Sequence, residues 1–123
     1  MSSLSCPVTL TVATDPHLAR LVRMTAANVA MLSSMSVDRV EDLRMAAEEA
    51  FIYACSTPSA ASARISFDVD EGHVGMDVEL SCDEFADEGQ ESVYADLILA
   101  SVCDAYEKSA SPARLHLELK ADV

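Results

Sequence analysis

Three side chains capable of chemistry share one side of a single predicted helix. They are Asp42, Glu49 and Tyr53, at steps of seven and four within residues 37–57, VDRVEDLRMAAEEAFIYACST. Helical periodicity places residues at such steps on one face. Val40, Leu43, Ala47, Ala50, Phe51 and Ala54 form an apolar stripe on the other side. Met45 and Ile52 lie off that stripe, next to Glu49. A helix that is apolar on two sides is covered over most of its surface, which sets the Glu49 carboxylate in or near a pocket. Two roles stay open for this carboxylate. It can line a small-ligand pocket together with Tyr53, or it can be a structural group paired with Arg44 or Arg39.

Other chemistry finds little support. His17, His73 and His116 fall in different elements, without metal-ligand spacing. No Ser-His-Asp or Cys-His arrangement can be argued. Cys6, Cys55, Cys82 and Cys103 are widely spaced and form no CxxC pair, so free thiols are expected.

The elements that position Glu49 follow from the pattern. Asp38 is the candidate cap of its helix, with Glu41 completing a capping box, and Pro58 stops it. Before it, residues 6–13 alternate, with Val8, Leu10 and Val12 on one face, and predict a half-buried strand. Thr14-Asp15-Pro16 opens a helix to about Ser33, with a buried stripe of Leu18, Leu21, Val22, Thr25, Val29 and Leu32. Arg20 and Arg23 lie off that stripe. After residue 57, strands at 63–69 and 74 to about 81 flank the turn Asp70-Glu71-Gly72-His73, an antiparallel hairpin with one polar face. An acidic connector, CDEFADEGQE, spans 82–91. A third helix is predicted over 92–108, burying Val93, Leu97, Ile98, Val102 and Ala105. A last strand covers 113–120, with Leu115, Leu117 and Leu119 on one face.

Composition bounds the rest. The chain has 123 residues, half of them hydrophobic, which suits one domain over residues 1–123 with a packed core. Net charge is −13, and no Lys or Arg occurs between Ile65 and Glu107. Such a balance disfavours direct nucleic-acid binding and suits a solvated surface or a basic partner. No apolar run approaches a membrane span, and Met1-Ser-Ser-Leu lacks the basic start of a signal peptide. No membrane association and a cytoplasmic location are therefore expected.

One family resemblance attaches to these residues. EDLRMAAEEAFIYA resembles the signature helix of the anti-sigma-factor serine kinases, in the Bergerat-type (GHKL) histidine-kinase-like ATPase superfamily. Glu41, Asp42, Leu43, Arg44, Ala46, Glu49 and Ala50 match its pattern. The resemblance implies a general-base role for Glu49 if the chain is an active kinase using ATP and magnesium. The family's magnesium-binding Asn falls on Tyr53, a poor ligand for that metal. The family's adenine-contacting Asp falls on Asp83, but the glycines after it become Phe85 and Asp87. A second register, Asp87-Glu88-Gly89, keeps one glycine. Counting back from Asp104, which matches a frequent family Asp, the second glycine motif falls on Val93 and Ala95. The strand, turn and helix with Leu21-Val22-Arg23 are similar to the family's first helix, which docks partners, and this singles out Arg20 and Arg23.

The expected fold is a two-layer α/β (α+β) sandwich, with helices on one face of a sheet. The resemblance adds a mixed, largely antiparallel sheet of the Bergerat type. The expected function is a regulatory protein that binds a sigma factor or an anti-sigma antagonist, with a degenerate nucleotide site and no cofactor. An ATP-dependent serine-protein kinase is the alternative. Family analogy implies a homodimer.

Overall fold

Strict alternation of apolar and polar residues builds the sheet. The computed structural model describes residues 4–85 and 90–123. Its elements run β1 (Leu4–Ala13), a 3-10 turn (Pro16–Leu18), α1 (Ala19–Ala30), α2 (Val37–Cys55), β2 (Ser62–Val69) and β3 (His73–Leu80). There follow α3 (Gln90–Val102), β4 (Ala105–Ser109) and β5 (Arg114–Lys120). The five strands lie in the order β1-β2-β3-β5-β4, and every pairing is antiparallel. The parallel component implied by the family resemblance is absent among the described residues.

Two core-facing rows, apolar except at the edge strand, cross the whole sheet. One runs Val8, Phe67, Met76, Leu117 and Tyr106; the next runs Leu10, Ile65, Val78, Leu115 and Lys108. Tyr106 and Lys108 therefore stand on the core side of the edge strand β4. Ile65, Phe67, Val78, Leu115 and Leu117 are fully buried beneath the helices in one contiguous core. The opposite face stays polar. There Asp77 accepts from Arg114 Nε at 3.0 Å and meets His116 Nδ1 at 2.8 Å, while Glu118 meets His116 Nε2 at 2.8 Å. Helices on one face and charge on the other make an α+β arrangement of two layers. No helix among the described residues is long and apolar enough to cross a membrane.

α2 is the central helix and packs against both α1 and α3. Its cap is Ser36, whose hydroxyl accepts the Arg39 N–H at 3.2 Å, two residues earlier than the Asp38 box expected from the pattern. Glu41 instead pairs with Arg44 one turn on. Ser36 wins because the chain is still extended there, as a cap requires, whereas Asp38 is already helical. Asp122 holds Ser36 through both its N–H and its hydroxyl.

α1 buries a different stripe from the one its leucines suggest. Asp15 caps the entry turn by accepting the His17 N–H at 3.0 Å. The buried residues are then Ala19, Val22, Ala26, Val29 and Ala30, and Leu21 is 47% exposed. Ala46, Ala47, Ala50 and Ala54 of α2 are equally buried. Small side chains on both helices let the backbones approach closely, and Leu21 and Leu32 are turned outward while Leu18 packs half-buried against the core.

The predicted third helix is too long. It ends at Val102, and residues 105–109 are strand β4, paired with β5. Asp104 marks the break: its N–H donates to Glu118 O, and its carboxylate accepts from Lys120 N–H and Arg39. A ladder against β5 satisfies backbone groups that an extra helical turn would leave facing the sheet edge. Ala95, Leu99 and Cys103 fill the core side, with Val102 packed against it as expected, whereas Val93 and Leu97 are 60% and 66% exposed. Cys55, Cys82 and Cys103 are free thiols, while Cys6 falls outside the described side chains.

Candidate functional site: a carboxylate cleft beside a stacked aromatic cluster

Glu49 faces a cleft of about 550 Å³ between α2 and α3, closed at one end by the turn that opens α1. Pro16, Ile52, Tyr53, Ser56 and Tyr94 stand around it. None of the cleft's lining residues is basic. Partial burial, with Glu48 beside it, raises the Glu49 pKa above the ordinary carboxyl value. The ion pair expected with Arg44 or Arg39 does not form. Arg44 pairs with Glu41, and Arg39 bonds Asp42 at 3.1 Å and Asp104 at 2.6 Å. Among the described residues Glu49 has no hydrogen-bond or ion-pair partner. Asp42, on the same side of the helix, is tied to Arg39 and takes no part in the cleft.

Tyr53, one turn beyond Glu49, leads into a second cluster. It is only 4% exposed. Its ring stacks on Phe85 with centroids 5.3 Å apart and planes inclined by 9°. Lys108 Nζ donates to the Tyr53 hydroxyl at 3.0 Å and lies 5.0 Å from that ring's centroid. The same ammonium bonds Asp96 at 3.0 Å, and Tyr106 O–H donates to Asp96 at 2.6 Å. Ser92 Oγ lies 3.2 Å from the Tyr53 hydroxyl. Partial burial opposes the Lys108 charge, but the bonds to Tyr53 and Asp96 outweigh it and raise its pKa. Burial and the bond to Asp96 together push the Tyr106 phenol upward. Three elements and a loop meet here: α2, α3, β4 and the segment after β3.

The other candidates lie elsewhere. Asp83 is exposed, and its carbonyl accepts from Ser111 N–H at 2.7 Å. It does not join the Glu49 cleft; Phe85, two residues on, is the loop residue that reaches Tyr53. The alternative register, Asp87-Glu88-Gly89, lies outside the described residues. Arg20 is exposed on α1, and Arg23 turns back to bond Glu48 at 3.1 Å. Neither lines the cleft. Among the described residues no group of His, Cys, Asp and Glu is arranged to hold a metal ion.

Sequence reasoning brought Glu49 and Tyr53 to one face but missed Phe85, Ser92, Asp96, Tyr106 and Lys108. One signal was present: Lys108 is the first basic residue after a long acidic stretch. Comparison of the sequence with protein-family models and with curated proteins finds no match.

Proposed function

We propose that this chain is an anti-sigma-like regulatory domain that works by binding a protein, and that the nucleotide site of the family it resembles has been filled in. The stack of Tyr53 on Phe85 carries this reading. Aligned on the resembling family, Tyr53 takes the position of its magnesium-binding Asn and, in the Asp83 register, Phe85 takes that of a pocket glycine. One departure would remove a ligand; both together place two rings face to face where backbone and ligand would meet. Lys108 and Asp96 then lock the pair from β4 and α3. A magnesium nucleotide does not suit this donor set, since the Tyr53 hydroxyl is already engaged and the loop offers no glycine at Phe85. Exposed apolar side chains on the helical layer, among them Met24, Met45, Ile52 and Leu97, support protein binding as the remaining function. The partner in this reading is a sigma factor or an anti-sigma antagonist.

Titration calorimetry with ATP and ADP, with and without magnesium, tests the nucleotide half. The expected result is no heat at millimolar nucleotide. Saturable micromolar binding that Glu49→Ala or Tyr53→Ala abolishes overturns it. Pairwise co-expression with sigma factors and antagonist proteins from the same source tests the binding half, and failure of every pair to copurify overturns that.

One observation favours the kinase alternative. Glu49 is unpaired among the described residues and its carboxyl is shifted upward, as suits a group that takes a proton from a serine hydroxyl. The same calorimetry separates the two readings.

A further inference from the structure

Of the five carboxylates on α2, Glu41, Asp42 and Glu48 are each answered by an arginine of this chain. Arg44 takes Glu41, Arg39 takes Asp42 and Arg23 takes Glu48. Among the described residues Asp38, exposed at the helix start, and Glu49 are left without one, and of these two only Glu49 faces the cleft. The walls around it are mainly apolar: Pro16 and Ile52 on one side, Tyr94 on the other. Met45 and Ile52 continue the exposed apolar surface along α2, and Tyr94 and Leu97 continue it along α3. Glu48, paired with Arg23, lies beside Glu49, and Asp15 lies near Cys55 at the cleft's end. A partly desolvated anion in an apolar slot is matched by a cation on an apolar stem.

We propose that the cleft between α2 and α3 seats a segment of a partner protein that inserts an arginine or lysine side chain beside Glu49 and lays an apolar residue between Ile52 and Tyr94. The inference rests on the protein-binding reading above and names the chemistry of the partner. The basic head meets Glu49, and the methylene stem runs along the apolar walls. The flanking apolar residue packs on Ile52 and Tyr94. Charge complementarity selects a foreign segment over a second copy. A symmetric contact would set one Glu49 cleft against another on a chain of net charge −13.

The test selects random displayed peptides on the whole immobilised chain and then measures each isolated peptide's affinity for variants. The expected peptides carry Arg or Lys next to an apolar residue. Glu49→Gln and Ile52→Ser weaken them by about tenfold or more, while Asp38→Asn, the same charge change at the exposed start of α2, leaves them within about twofold. Backbone amide spectra of each variant check that the fold is kept, and n-butylguanidinium serves as a minimal probe, expected to shift the amide signals of Glu49, Ile52 and Tyr94. Peptides that bind Glu49→Gln as tightly as the parent overturn the cleft assignment and leave protein binding standing. Failure to select any peptide, together with no shift from n-butylguanidinium, overturns the inference, and the co-expression experiment decides the broader reading independently. Self-association in sedimentation that Glu49→Gln abolishes would make a second copy the occupant and equally overturn it.

Discussion

Tyr53 concentrates more of the site's structure than any other single side chain. It supplies buried area, a ring stack with Phe85 and a hydroxyl shared by Lys108 and Ser92. Tyr53→Ala is expected to cost about 3–5 kcal/mol, the range for emptying a buried aromatic position. Tyr53→Phe keeps the stack and leaves Lys108 on Asp96, so its cost is expected at about 1 kcal/mol. Urea unfolding of both variants checks the ratio, and equal losses would mean that the hydroxyl, not the ring, dominates. His116 on the outer face makes a separate prediction. Burial lowers its pKa, but the bonds to Glu118 and Asp77 prevail and raise it above the ordinary 6.5. The folded state therefore binds the proton more tightly than the unfolded chain. Its stabilisation is complete below pH 6.5 and is lost as pH rises through the folded-state value. Unfolding followed across that range is expected to show a decline that His116→Gln flattens, with about 1 kcal/mol lost on its acid side.

Arg39 is the joint between elements. From α2 it reaches Asp42, the Val102 carbonyl at the end of α3, Asp104 before β4, and the Lys120 carbonyl at the end of β5. Its side chain is 15% exposed. Arg39→Ala is expected to lose about 2–4 kcal/mol, because the Asp104 and Val102 groups are left short of a donor. Arg39→Lys recovers only part, since a single ammonium cannot span four directions. Thermal melting of the pair checks both statements. The elements that sequence reasoning read well are those whose side chains alone decide them. β2, β3 and β5 alternate Ile65-Phe67-Val69, Val74-Met76-Val78 and Leu115-Leu117-Leu119 against polar neighbours, and their burial follows directly. α1 was read in part: Val22 and Val29 are buried as expected, but close packing against α2 favours Ala26 and Ala30 over the larger Leu21 and Leu32. β4 was misread because five residues cannot carry a period, and its state is decided by the distant β5. The site divides in the same way. Glu49 and Tyr53 sit on one helix, so spacing places them together. Phe85, Asp96 and Lys108 arrive from three other segments, and only tertiary folding brings them to Tyr53.

At the scale of the whole molecule, charge dominates the response to solution conditions. Net charge is −13, and the paired carboxylates on α2 and on the polar sheet face leave a large unanswered excess. Self-repulsion of that size is screened by salt, whose Debye length falls to about 10 Å at 0.1 M. Raising ionic strength from low values to about 0.5 M is expected to add on the order of 1 kcal/mol, or about 3–6 °C in Tm. A Tm that falls with salt would mean that the ion pairs, Arg39–Asp104 foremost, outweigh the repulsion. The strand order carries a further consequence, in time rather than in energy. β2 and β3 are joined by a short turn, as are β4 and β5, so each pair can zip locally. β1 has a single neighbour, β2, and the whole of α1 and α2 separates them along the chain. Its docking must close that long loop, so it belongs late in folding and early in local opening. Amide hydrogen exchange in the native state is then expected to free β1 and β4 well before β2, β3 and β5. Equal protection across all five strands would instead mark a sheet that opens only as one cooperative unit.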